Sequence, residues 1–137
     1  MRILFLGNNW VGWQVLKYLK EQEEKVVGLV IHPQGKRKFG EEIISTANVN
    51  GNQIIAGQTL RQPAVLEAIK ALRPDIGLSI LFDYVLRSEF LKLFGYNFDK
   101  NQGSVFIIFD QSQKGVGYLI DGYFRVSIQA DHNTGLI

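Results

Sequence analysis

The feature that most limits what this chain can fold into is an alternation of two patterns. Between residues 1 and 94, short apolar runs of strand character are separated by stretches with helical spacing, and this happens four times. Arg2-Ile3-Leu4-Phe5-Leu6 is the first buried-strand run. A segment from Trp10 to about Gln22 follows, with Val11, Val15, Leu16 and Leu19 at helical intervals and Asn9 positioned to cap it. Lys25 to Ile31 is a second strand, ending at His32-Pro33. The polar loop Gln34-Gly35-Lys36-Arg37-Lys38 then leads to a short helix around Glu41 to Ala47. Gln53 to Ala56 is a third strand, and Pro63 to Leu72 a helix with proline in its first turn. Asp75 to Leu81 is a fourth strand, and Ser88 to Leu93 one or two helical turns. Strands and helices that alternate through short connections predict a doubly wound α/β fold, a mostly parallel sheet with helices on both faces. Such sheets hold ligands beyond the carboxyl ends of their strands. The places to search are therefore Gly7-Asn8-Asn9, His32 to Lys38, Ala56-Gly57-Gln58 and Leu81 to Leu86.

The pattern changes after Phe94. Short β-rich runs separated by Gly, Asn, Asp and Gln replace the alternation, with strands expected at Ser104 to Phe109, Val116 to Ile120 and Tyr123 to Gln129. Asp121-Gly122 is a hairpin turn signal between the last two. Residues 1–94 carry 12 basic and 9 acidic side chains, residues 95–137 carry 3 and 4, so the tail is mildly acidic. We expect an α/β half at 1–94 followed by a β-rich tail at 95–137, either the divergent remainder of the same domain or a hairpin module.

Composition narrows the chemistry. A chain of 137 residues buries roughly two thirds of the surface it exposes when unfolded, enough for one core without disulfides or metals. The absence of cysteine excludes disulfides, zinc–thiolate sites and cysteine nucleophiles together, and two histidines, His32 and His132, make a multi-histidine metal site hard to build. No apolar run approaches the ~20 residues that span a bilayer. The N-terminus is expected to be a first strand rather than a signal peptide, so the expected compartment is the cytoplasm. A net charge of +2 provides no broad field for nucleic acid.

Local motifs carry two readings each. Gly7-Asn-Asn-Trp-Val-Gly12 joins a strand to a helix and is either a tight turn or an anion-contacting one. It is not a dinucleotide fingerprint, because Asn9 stands where a second glycine is needed and His32-Pro33 replaces the ribose-binding acid. Lys36-Arg37-Lys38 is either a phosphate clamp or a solvated basic loop balanced by Glu41 and Glu42. His32 is a candidate base, although a histidine before proline at a strand end is expected to be a capping or surface residue. Asp131-His132 sets a carboxylate beside an imidazole, but neighbours on an extended segment point to opposite faces, which favours a polar chain end.

Four stretches then carry a resemblance: Met1-Arg-Ile-Leu-Phe-Leu-Gly-Asn-Asn9, Gly28-Leu-Val-Ile-His-Pro33, Lys36-Arg-Lys-Phe-Gly-Glu-Glu42 and Leu72-Arg-Pro-Asp-Ile-Gly-Leu-Ser-Ile-Leu-Phe82. In this order they resemble the formyltransferases that use 10-formyltetrahydrofolate, in the branch of methionyl-tRNA and sugar-nucleotide N-formyltransferases. The likeness covers residues 1 to about 94. It implies a Rossmann-like formyltransferase half and the cofactor 10-formyltetrahydrofolate. It implies that Leu81, Phe82, Asp83, Tyr84, Val85 and Leu86 form the loop that holds the pterin, largely through backbone groups. It also implies that Gly7, Asn8, Asn9, Lys36, Arg37 and Lys38 lie toward the amine-bearing substrate.

The family's chemistry resides in an Asn-x-His pair on the fifth strand and a later Asp in an Asp-Thr-Gly segment. The Asn and His stabilise the tetrahedral oxyanion, and the Asp orients the His and helps manage the protons of the attacking amine. If Gly103 to Asp110 is that strand, Phe106 stands for the Asn and Ile108 for the His. If Asn133-Thr134-Gly135 is the later segment, Asn133 stands for the Asp. No catalytic residue is recognisable. The expectation is a truncated or catalytically degenerate relative of enzymes that formylate an amine on a sugar nucleotide or aminoacyl-tRNA. The sugar nucleotide is favoured because no basic C-terminal region follows. The rival is a non-catalytic module that binds folate or a nucleotide, or that forms a homodimer through its β-rich tail. A third reading is gene decay or a frame change beyond Phe94. No membrane partner is expected.

Overall fold

Side chains of odd and even residues along a strand face opposite ways, and the first strand shows how this builds two cores. The computed structural model describes residues 1–84 and 86–94, together with the backbone of 106–109. Strand β1 (Arg2–Gly7) directs Ile3 and Phe5 into one apolar cluster and Leu4 and Leu6 into another. A central strand must be apolar on both sides, which is why this run has no polar alternation.

Helix α1 (Asn9–Glu21) and helix α2 (Gly40–Ala47) cover the Ile3/Phe5 face, where Leu16, Ile43 and Ala47 are buried with them. The indole N–H of Trp13 donates to Thr46 Oγ1 at 3.0 Å, and its ring stacks on Phe39, joining the two helices. Helix α3 (Pro63–Ala71) and the short α4 (Ser88–Leu91) cover the other face through Ile69, Phe90 and Leu91. The doubly wound arrangement expected from the sequence is present.

Strands β2 (Lys25–Ile31), β3 (Ile54–Ala56), β4 (Ile76–Ile80) and β5 (Phe106–Phe109) complete a parallel sheet of order β3-β2-β1-β4-β5. The register of β1 on β2 slips between Ile3 and Leu4, so that Ile3 faces Val26 but Leu4 faces Gly28. The extra residue explains how Val26 and Leu29 join the same cluster despite their odd spacing. Gly28 gives the packing room there, since a Cβ would lie 2.8 Å from a Leu72 methyl and 2.9 Å from one of Leu4 and would displace those side chains.

Several boundaries differ from expectation. The cap of α1 is Asn8, in an extended conformation, while Asn9 is the first helical residue at φ 71°. Gln53 leaves the third strand for a 3-10 turn at Gly51–Gln53, where it and Asn50 form a reciprocal capping box. The expected strands at Val116 to Ile120 and Tyr123 to Gln129, the Asp121-Gly122 turn, Asp131-His132, Asn133 and Val85 lie outside the described residues. No described helix is long and apolar enough to cross a membrane.

Candidate functional site

In this strand order the direction of winding reverses between β1 and β4, and the crevice at their carboxyl ends is where a doubly wound sheet accepts ligands. Three segments converge there: the β1–α1 turn, the loop after β2 and the segment after β4.

Asn8 ties them together. Its backbone N–H donates to the Ile80 carbonyl at 3.2 Å, bridging the crevice itself. Its side-chain oxygen accepts from the Lys38 N–H at 2.8 Å, and its amide nitrogen donates to the Lys36 carbonyl at 3.5 Å. The Asn9 N–H donates to the Lys38 carbonyl at 2.9 Å, and the Trp10 N–H to Asn9 Oδ1 at 2.7 Å. The first amide of α1 therefore serves the protein's own loop, and the second serves the Asn9 side chain. Gly7, Asn8, Asn9 and Lys36 to Lys38 are brought together as the sequence suggested, but the turn behaves as a tight structural junction rather than an open anion cradle.

The three cations of the loop have separate fates. Arg37 is half-buried; its Nε donates to the His32 carbonyl at 3.1 Å, and its guanidinium lies 3.8 Å from Glu41 one helical turn on. Lys36 is exposed, with Nζ 5.7 Å from the centre of the Tyr84 ring, a cation–π distance. Lys38 is exposed. A three-pronged phosphate clamp is not assembled.

His32 is the largest departure from expectation. It is 0% exposed, so the capping or surface reading is overturned. The reason lies in β2, which is buried on both faces to its last residue and carries the next side chain inward. Its ring stacks on Tyr84, with centroids 5.1 Å apart, and tilts against Phe82 at 4.7 Å. Nε2 accepts the Asp83 backbone N–H at 3.2 Å. A nitrogen that accepts cannot carry a proton, so the remaining proton of the neutral ring sits on Nδ1, which is buried without a hydrogen-bond partner among the described residues. Burial pushes the His32 pKa below 6.5, Lys36 pushes it the same way, and the Asp83 carboxylate opposes them. The 3.9 Å approach of Asp83 Oδ2 to Nε2 is therefore not an ion pair at neutral pH.

The segment after β4 begins with Leu81 at φ 54°, a left-handed turn that reverses the chain at the sheet's end. Leu81, Phe82 and Leu86 bury their side chains in the two cores, Tyr84 is half-buried, and Asp83 is exposed. Gly57, after β3, makes this packing possible: a Cβ there would stand 2.7 Å from the Phe82 ring and 3.0 Å from that of Tyr84. Between Gly57, Gln58, Leu60, Arg61, Asp83 and Tyr84 lies a groove of about 270 Å³. A second hollow of about 330 Å³ adjoins it, lined by Leu60, Arg61, Leu66, Leu86, Arg87, Glu89 and Phe90. Sequence reasoning missed Arg61 and the inward histidine. The only signal for the latter was the unbroken apolar run of β2.

Beside this segment, β5 pairs with β4, Phe106 opposite Gly77 and Ile108 opposite Ser79. The fifth strand is thus in the sheet beside β4, and the positions compared with Asn and His hold Phe and Ile. Among the described residues no group of three or more His, Asp or Glu is arranged to hold a metal ion.

Comparison with known proteins places these observations among relatives. No protein-family profile matches the chain. The methionyl-tRNA formyltransferase of Chloroflexus aggregans is 30% identical over 98 residues, covering 68% of this chain and 32% of that protein. Those of Chloroflexus aurantiacus and a Roseiflexus species are each 29% identical over 98 and 99 residues, again covering 68% of this chain. The match spans about a third of the length of these relatives: 32%, 32% and 30%.

Proposed function

We propose, from the premise that this chain carries a formyltransferase-family segment, that its sheet end is a folate-binding site that holds the pterin of 10-formyltetrahydrofolate. The observation that carries this is the folding of Leu81 to Tyr84 back over the carboxyl end of β4, against His32 and Gly57, so that the Tyr84 ring and the Asp83 carboxylate border a groove with Arg61. The residues suit the group. A flat heteroaromatic ring finds an aromatic face in Tyr84, and its ring N–H donors find the exposed Asp83 carboxylate. At about 270 Å³ the groove lies just below the ~300–1,000 Å³ typical of ligand sites, a size for one heterocycle rather than a whole folate. Leu81, Phe82, Val85 and Leu86 complete the loop in this reading. When bound, the cofactor supplies the activated formyl carbon.

The acceptor enters from the side of Gly7, Asn8, Asn9, Lys36, Arg37 and Lys38. Exposed Lys36 and Lys38 suit an anionic acceptor. Between the two acceptors considered, the names of the relatives favour aminoacyl-tRNA over a sugar nucleotide. Residues 1–94 act as the binding half in this reading, in the cytoplasm. The chain alone is catalytically degenerate, because Phe106 and Ile108 cannot donate hydrogen bonds to an oxyanion.

Calorimetric titration with 5-formyltetrahydrofolate tests the site. Saturable binding that weakens in an Asp83→Ala variant is the expected result. Absence of heat and of any thermal shift at millimolar ligand eliminates the folate reading and leaves a structural or dimerising module.

A further inference from the structure

One nitrogen atom faces two partners from a single residue. His32 Nε2 accepts the main-chain N–H of Asp83 at 3.2 Å, while the carboxylate of the same Asp83 waits 3.9 Å away on a side chain that is 74% exposed. The two partners suit opposite protonation states. A neutral ring accepts from the amide and has nothing to offer the carboxylate, whereas a protonated ring repels the amide N–H and donates to the carboxylate.

We infer that His32 is the positioning residue of the segment Phe82–Tyr84, holding it in the ligand-competent arrangement through the neutral Nε2 and releasing it when that nitrogen is protonated. The inference takes its ligand from the folate reading; the contact itself does not depend on that reading. The aromatic rings on both sides of Asp83 make the coupling tight. Phe82 and Tyr84 both pack on the imidazole, and both are in the space left by Gly57. Exchange of the amide for the carboxylate therefore shifts the peptide that carries both rings, and with it the wall of the groove formed by Asp83 and Tyr84.

The charged groups around His32 act in both directions. From the segment after β4, Asp83 favours a proton; from the loop after β2, Lys36 opposes it. Arg37, whose Nε holds the His32 carbonyl, fixes the backbone from which the ring projects. The buried Nδ1 has no hydrogen-bond partner among the described residues, and among them the hydrogen bond to this ring is the one at Nε2.

The test separates acceptor from shape. His32→Gln keeps an acceptor oxygen that does not titrate, and His32→Phe keeps a ring between Phe82 and Tyr84 without an acceptor. With 5-formyltetrahydrofolate as the probe, wild-type affinity holds above pH 6.5 and falls as the pH is lowered below 6.5 toward the folded pKa of His32. His32→Gln binds at every pH with a flat profile, and His32→Phe binds about ten-fold more weakly at neutral pH. Asp83→Asn retains the amide N–H and moves the midpoint of the profile to lower pH. Independently of any ligand, long-range proton–nitrogen NMR of the wild type reports the Nδ1–H tautomer at neutral pH, and the Asp83 amide shift follows the titration of the ring. The Nε2–H tautomer, or parallel pH profiles for wild type and His32→Gln, overturns the inference. If no folate binds at any pH, the folate reading fails, and the NMR measurements on the free protein still decide the contact: an Asp83 amide that tracks His32 supports it, and one that does not refutes it.

Discussion

A buried histidine that accepts a main-chain N–H favours its neutral form, and this fixes the sign of its contribution to stability. In the unfolded chain His32 titrates near 6.5, and in the folded chain lower. Between those two values the unfolded state binds more protons, so stability from this residue is fully present above 6.5 and is lost as the pH falls toward the folded pKa. Urea unfolding at a series of pH values should show a midpoint that drops through this window, and His32→Gln should lack that part of the slope. An unchanged slope in the variant would assign the acid sensitivity to other groups. Asn8 is the second residue that decides local order. Asn8→Ala removes the acceptor of the Lys38 N–H and should cost about 1–2 kcal/mol, with faster amide exchange at Lys38. Asn8→Asp keeps the oxygen and should cost less, because the bond it loses, at 3.5 Å, is the weaker one. The sequence marks Gly7-Asn8-Asn9 as a junction but cannot tell which asparagine caps, since either is suited to the role. That choice depends on the loop 28 to 30 residues away, through the bonds to Lys36 and Lys38.

Elements with long, one-sided patterns were legible. Helix α1 announces itself through Val15, Leu16 and Leu19, and β1 through a run with no polar side chain between Ile3 and Leu6. Elements of three or four residues were not, because their boundaries are set by neighbours. Gln53 has strand-like company but takes a 3-10 turn, where its side chain donates to the Val27 carbonyl at 3.0 Å and accepts from the Asn50 N–H at 2.8 Å. The segment after β4 is similar: its apolar letters announce burial, yet the direction in which Leu81 turns is settled only by the packing of Phe82 and Tyr84 over Gly57. Gly57→Ala tests that packing. A methyl 2.7 Å from the Phe82 ring forces the ring aside, and overpacking of this kind costs about 1–3 kcal/mol. Denaturation should register the loss, and the NMR signals of the Tyr84 ring should shift with it. Gly51→Ala, with nothing within 4 Å of the added carbon, is the matched control and should leave the Tyr84 signal unaltered.

At the scale of the whole molecule, the parallel sheet sets the proposed folate edge beside a strand whose compared positions are apolar. Strand β5 pairs with β4 in register, Phe106 opposite Gly77 and Ile108 opposite Ser79, so the positions compared with Asn and His belong to a strand beside the proposed folate segment. Stabilising a tetrahedral oxyanion takes hydrogen-bond donors fixed in advance, and each missing donor typically costs ~2.7–4 kcal/mol, a factor of about 10²–10³ in rate. Phenylalanine and isoleucine side chains offer none. With two such positions apolar, formyl transfer from 10-formyltetrahydrofolate to an aminoacyl-tRNA should run about 10⁴-fold or more below an ordinary enzymatic rate, at folate concentrations that saturate the titration. Following formyl release by a coupled absorbance change, with the acceptor varied between aminoacyl-tRNA and an amino-sugar nucleotide, measures this directly. Turnover near an ordinary enzymatic rate would mean that donors elsewhere in the chain do the work of the fifth strand. Binding without turnover would identify a folate site separated from its chemistry, in which the sheet edge still selects the ligand through His32, Asp83 and Tyr84 while the adjacent strand no longer acts on it.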